Sequence, residues 1–273
     1  MVQGYRRSNG TLGARNHVLV LPSVVCSGLA AQMIAGDDAI SVTHQHGCAM
    51  IGDDVEHTAS VFTGMATNPN VAGVLVVGLG CETIQGSRIA DRIGKLGQLV
   101  RYVGIQADGG MVNTVANGTA LLHALRAEVA EGSREDGDAD QLIIGLDDSA
   151  APFAESLREI AARAGARVIV ADDQAGAEQH PDLATAGAQI IVAWCGPGEG
   201  PRGFAICPVV SVSGDSELFA ALSDDFDVDG TDRSTDVAET VWQEVLRVFN
   251  GSACAAELRG ARDFYLRRAE RTL

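Results

Sequence analysis

The sequence predicts an α/β fold: mainly parallel sheets with helices on both faces, arranged as two Rossmann-like subdomains. Three observations predict it. Short β-branched apolar runs alternate with Ala-rich segments of helical length along the whole chain. The runs GVLVVG (73–78) and QLIIG (141–145) are apolar without alternation, as strands covered on both faces require. The acidic, Gly-containing stretch Glu131–Asp140, EGSREDGDAD, reads as a surface linker. It divides an N-terminal α/β domain, 1–135, from a C-terminal α/β domain, 136–273, that ends in helices.

Strands are expected over residues 17–21, 40–43, 73–78, 100–105, 141–146, 167–171, 189–193 and 208–212, each a short apolar or β-branched run. Helices are expected over 54–65, 84–96, 112–131, 151–164, 235–250 and 253–268, where apolar residues recur at helical spacing.

Composition narrows the function. The 273-residue chain carries a formal net charge of −16, which argues against nucleic acid and against anionic membrane surfaces as partners. No apolar run approaches the length of a membrane span, and MVQGYRRSNG has no secretory-signal order, so a cytoplasmic protein is expected. Lys95 is the single lysine, at an exposed helix end, which sets Schiff-base and pyridoxal-phosphate chemistry aside. The six cysteines include no CxxC pair, so a zinc ribbon and a thioredoxin-like motif are absent. Most of them are expected to be small buried hydrophobes.

The residues suited to chemistry fall where strands run into helices, at the carboxyl ends where open α/β sheets place their sites. In THQHGCAMIGDD (43–54), His44, His46 and Cys48 alternate, which in an extended loop turns them to one side. Imidazole and thiolate suit zinc or ferrous iron, with Asp53 or Asp54 as added oxygen donors. In GLGCE (78–82), Gly78 and Gly80 permit close backbone approach, and Cys81 and Glu82 read as a ligand and a general base, or as support for an anion site. The G-x-G there is not completed to a dinucleotide fingerprint. In IQADGG (105–110), Asp108, Gly109 and Gly110 open a helix whose free amides can hold a carboxylate, with Asp108 as a plain helix cap the bland alternative. Arg15 and Asn16, in an arginine-rich segment before the first expected strand, are candidates to hold a substrate carboxylate, and Arg202 in WCGPGEGPRG is another.

Together GYRRSNGTLGARN, THQHGC, NPNVAGVLVVGLGCE, IQADGG and FNGSACAAE resemble the altronate/galactarate dehydratase family, which also includes sulfolactate sulfo-lyase. The resemblance covers residues 4–120 closely and 185–260 more loosely. It implies a metal-dependent lyase acting on a small anionic hydroxy acid, with a divalent metal, Fe2+ first and Mn2+ or Zn2+ as alternatives. It places His46, Cys48, Cys81 and Glu82 at or near the active site. His46, Cys48 and Cys81 are taken as metal ligands, and His44, Glu82 and Asp108 as catalytic groups. Arg15, Asn16, Gly109, Gly110 and Arg202 are taken as substrate contacts. A homo-oligomer and a separate small subunit are further expected partners.

The sequence also departs from the family pattern. An EKS-type motif is absent between about Gly176 and Pro181, GLDD (145–148) stands for a GGSD-like turn, and WCGPG (194–198) stands for a TTGRG-like loop. The small N-terminal domain of many members is missing, so a shortened, divergent relative is expected. The expected reaction is loss of water, or a similar β-leaving group, from a hydroxy-carboxylic acid. Release of sulfite from a sulfo acid is the first alternative, and a non-catalytic binding or regulatory homologue is the second.

Overall fold

The computed structural model of the chain describes residues 1–130, 132–170, 177–232 and 236–267. The first six strands in chain order are β1 (Val2–Arg6), β2 (Leu12–Gly13), β3 (His17–Pro22), β4 (Ile40–Ser41), β5 (Val71–Gly78) and β6 (Val100–Gly104). They are followed by β7 (Arg134–Gly137), β8 (Ile143–Leu146), β9 (Arg167–Val170), β10 (Ile190–Cys195), β11 (Val209–Ser213) and β12 (Val228–Asp229). The helices begin with α1 (Gly28–Ala35), α2 (Asp53–Ala66), α3 (Gly86–Lys95), α4 (Met111–Val129) and α5 (Ala154–Arg163). They continue with α6 (His180–Thr185), α7 (Ser216–Ala221), α8 (Val237–Phe249) and α9 (Ala255–Leu258). The chain divides into two compact units, one built on residues 16–132 and one on residues 1–15 together with 133–265.

The 16–132 unit contains a four-stranded sheet in the order β4-β3-β5-β6, with every pair parallel. Alternation of side chains along each strand produces two apolar faces. Val18, Val20, Leu75, Val77 and Val103 meet Ala31 and Ile34 of α1 and Leu122 and Leu125 of α4 in one core. Leu19, Leu21, Val74 and Val76 point the other way, are equally buried, and lie on the side covered by α2 and α3. The strand order reverses direction at β3: β4 lies on one side of it and β5 on the other. The carboxyl ends of β3 and β5 at this switch point are the usual ligand position in such sheets.

The second unit contains a five-stranded sheet in the order β12-β11-β10-β8-β9, again with every pair parallel. It also holds a three-stranded antiparallel sheet, β2-β1-β7. The mainly parallel α/β architecture expected from the sequence is thus observed, with the antiparallel ribbon as an addition. The acidic stretch expected to be a linker is only partly one: Arg134–Gly137 pairs with β1, Val2 lying opposite Gly137 and Tyr5 opposite Arg134. Charged side chains on an edge strand suit solvent, which is why this segment reads as a loop in the sequence. The pairing places residues 1–15 in the same unit as residues 133–265. Among the described residues after α8 only Ala255–Leu258 is helical and residues 261–267 carry no helix, short of the helix expected over 253–268. Glu131, Ala171, Thr235 and Arg268, which bound other expected elements, lie outside the described residues.

Leu125 is fully buried between α4 and the sheet, and Gly73 makes room for it: a Cβ there would stand 2.9 Å from its Cδ1. Leu125→Ala is expected to lower unfolding free energy by about 2–5 kcal/mol with an unchanged m-value in urea. A loss below about 1 kcal/mol would remove this residue from the core.

Candidate functional site

Four strand-end loops of the 16–132 unit are sewn together by backbone hydrogen bonds. The Val25 amide, after β3, donates to the His46 carbonyl at 2.9 Å. The Thr83 and Ile84 amides, after β5, donate to the Gly47 carbonyl at 2.9 and 3.2 Å. The Gln106 amide, after β6, donates to the Leu79 carbonyl at 2.9 Å. Gly47 has φ 96°, and a Cβ on it would stand 2.2 Å from the Ser23 carbonyl oxygen. Only glycine allows this approach.

Glu82 is the electrostatic centre of these loops. Its side chain is buried, and Oε1 accepts from the amides of Leu79 (3.2 Å) and Gly86 (3.1 Å) and from the Ser23 hydroxyl (3.2 Å). Oε2 accepts from the Gly80 amide. Burial alone would raise its pKa, but the backbone donors outweigh burial and hold it below the usual carboxylate value. Glu82 therefore holds the GLGCE turn as an ionised carboxylate.

His44 is similarly engaged. Nε2 lies 2.7 Å from the Pro22 carbonyl, which can only accept, so Nε2 carries the proton. Nδ1 accepts from the His46 amide at 3.1 Å. Burial pushes the ring pKa down to about 4, keeping it neutral. His46 is buried, while Cys48 and Cys81 are exposed. Among the described residues no three His, Cys, Asp or Glu side chains gather where one ion could be held, so His46, Cys48 and Cys81 do not form a single-ion centre as arranged.

The loop after β6 provides the open chemistry. Asp108 has a buried Oδ2 without a hydrogen-bond partner. It precedes Gly109 (φ 77°) and Gly110 (φ 120°), which lead into α4, and no side chain caps that helix. Uncapped first-turn amides at the positive end of a 19-residue helix form a ready anion seat. Tyr102, which the sequence reading passed over as one more strand residue, projects among Gly78, Gly86 and Gly104, where any Cβ would collide with its ring or hydroxyl. Burial, then the charges of Glu82 and Asp108, raise its phenol above the ordinary value, so it stays protonated. Three glycines clearing space for one tyrosine was the available signal.

Asn16 Nδ2 donates to the Val129 carbonyl at 3.0 Å in the same unit. Arg15 belongs to the other unit, where all five of its N–H donors are engaged. Glu257 takes two at 2.6 Å, and the carbonyls of Ala14, Val248 and Ser252 take the rest. The Arg202 guanidinium donates to Asp147 at 2.6 Å and to Glu199 at 2.8 Å. Asp147 also pairs with buried His180 at 3.2 Å, a charge cluster that nothing in GLDD announces.

The strand ends of this parallel α/β unit thus gather an uncapped helix start, the buried carboxylate of Glu82 and exposed thiols, where open sheets of this kind commonly place ligands. Comparison with known proteins identifies the family. Residues 4–130 match the second domain of the D-galactarate dehydratase/altronate hydrolase model, and residues 156–272 match the D-galactarate/altronate dehydratase C-terminal domain. The chain belongs to this family. Similar proteins include altronate dehydratase of Bacillus subtilis, 31% identical over 53% of this chain and 31% of that protein. Altronate dehydratase of Escherichia coli is 32% identical over 54% and 32%. The (2R)-sulfolactate sulfo-lyase subunit beta of Chromohalobacter salexigens is 33% identical over 51% and 36%. The matched stretches thus span about a third of each relative's length. No helix among the described residues is long and apolar enough to cross a membrane.

Two outcomes test this geometry. The folded His44 takes its proton at about pH 4 and the unfolded ring near 6.5, so the unfolded state binds more protons between them. Stability from neutral His44 is full above pH 6.5 and falls as pH drops toward about 4. His44→Gln is expected to flatten that part of the stability–pH curve, and an unchanged slope contradicts the assignment. Arg15→Ala leaves half-buried Glu257 with the Cys254 amide but without its ion-pair partner, with an expected loss of about 1–3 kcal/mol in chemical denaturation. A weakened substrate KM at unchanged stability would instead make Arg15 a ligand contact.

Proposed function

We propose that the protein is a lyase that removes water, or a similar β-leaving group, from a small hydroxy-carboxylic acid. The observation that carries the reading is the partnerless, buried Oδ2 of Asp108 beside the uncapped start of α4. A substrate carboxylate takes the α4 amides, which stabilise the charge that builds on it as the neighbouring C–H bond breaks. Asp108 accepts that proton. The C–H electron pair forms a C=C bond, the bond to the β-hydroxyl breaks, and the Tyr102 phenol protonates the departing oxygen to give water. Where the substrate carries a second hydroxyl on the α carbon, the product is an enol, which takes a proton at the β carbon to become a 2-keto acid, and Asp108 returns its proton to Tyr102 through solvent. Glu82 and His44 serve as supports, since their polar atoms already hold the loops.

The sulfo-lyase relative supports a second reading, in which the same base step expels sulfite. The two separate in one assay: protein prepared anaerobically with ferrous iron is offered altronate, galactarate and (2R)-sulfolactate, and keto acid and sulfite are both measured. Keto acid without sulfite is expected from the sugar acids. Asp108→Asn and Tyr102→Phe are expected to lower kcat by about 100-fold or more. Wild-type rates in Asp108→Asn, or no turnover of any of the three acids, contradict the proposal.

A further inference from the structure

The six cysteines divide by unit. Cys195, Cys207 and Cys254, in the 133–265 portion, are buried. Burial pushes the thiols of Cys195 and Cys254 up to about 12, and Cys207 donates to the Ala188 carbonyl. These are packing residues. Cys26, Cys48 and Cys81 are all exposed, and they lie on the carboxyl-end loops of β3, β4 and β5, three neighbours in the sheet. Free cysteine is among the most buried residue types, so packing does not account for three open thiols on adjacent loops.

The loops meet at His46–Gly47. Cys26 follows Val25, whose amide bonds the His46 carbonyl, and Cys81 is two residues from Thr83, whose amide bonds the Gly47 carbonyl. Cys48 follows Gly47 directly. All three cysteines therefore stand, along the chain, within two residues of this dipeptide or of a backbone contact to it. Cys48 is also held between two left-handed residues, Gly47 at φ 96° and Ala49 at φ 53°. For alanine that conformation is strained, and such strain is retained where the surrounding structure fixes it.

Thiolates select soft centres: zinc, cuprous copper or iron–sulfur clusters. A single ion needs its donors around one point, which these loops do not provide. A polynuclear core places its own irons and sulfides between the thiolates and so joins thiols that stand further apart. Three cysteines would leave one iron of a four-iron core without a protein ligand and open to an oxygen of the substrate. We propose that Cys26, Cys48 and Cys81 ligate a four-iron, four-sulfur cluster with one open iron. Cluster binding is argued from three exposed cysteines on adjacent, hydrogen-bonded loops, whereas a Lewis-acid role for the open iron rests on the lyase reading.

The test is anaerobic reconstitution of the full chain with ferrous iron and sulfide, read by iron content, acid-labile sulfide and visible absorption. About four irons and four sulfides per chain are expected. Cys26→Ser, Cys48→Ser and Cys81→Ser are each expected to lose most of both, and Cys207→Ser to keep them, with circular dichroism confirming that all four fold. Iron or zinc bound without labile sulfide overturns the proposal, as does full cluster content in Cys26→Ser. A cluster-loaded protein that turns over no hydroxy or sulfo acid contradicts the lyase reading and leaves the cluster assignment standing.

Discussion

The site depends on one buried carboxylate. Glu82 accepts from three backbone amides and the Ser23 hydroxyl, so the turn after β5 and the end of β3 share a single anion. Without those donors, burial would neutralise the group and free the turn; with them, charge and loop geometry stabilise each other. The stitches at His46 and Gly47 extend the arrangement to the loop after β4. The reacting groups proposed here, Asp108 and Tyr102, stand on the neighbouring strand and loop and inherit their placement from this frame.

A division of labour follows between residue types that look alike in sequence. Glu82 and Asp108 are both carboxylates at strand ends, yet one is saturated with donors and the other has an oxygen with none. His44 is a textually attractive base whose two ring nitrogens are both engaged. Preorganised supports of this kind fix reacting groups without taking part in proton transfer.

Much of the architecture is legible in the sequence because burial dictates composition. GVLVVG is apolar throughout since β5 is covered on both faces, and IQADGG marks the start of α4 through two glycines with positive φ. The ribbon of β1, β2 and β7 is illegible because edge strands in solvent carry the same polar residues as loops. The partner of Arg15 is 242 residues away, so no local pattern distinguishes a structural arginine from an anion contact. Nor does a run such as THQHGC reveal which polar atoms the backbone will engage; that depends on loops folding against one another.

The central claim is that the 16–132 unit abstracts a proton beside a carboxylate and expels the group on the next carbon. Running the reaction in deuterium oxide and reading the product by proton NMR tests it most directly. The account predicts a 2-keto acid carrying a single deuterium on the carbon that held the leaving group, delivered as the enol ketonises. A product with only protium at that carbon would contradict it.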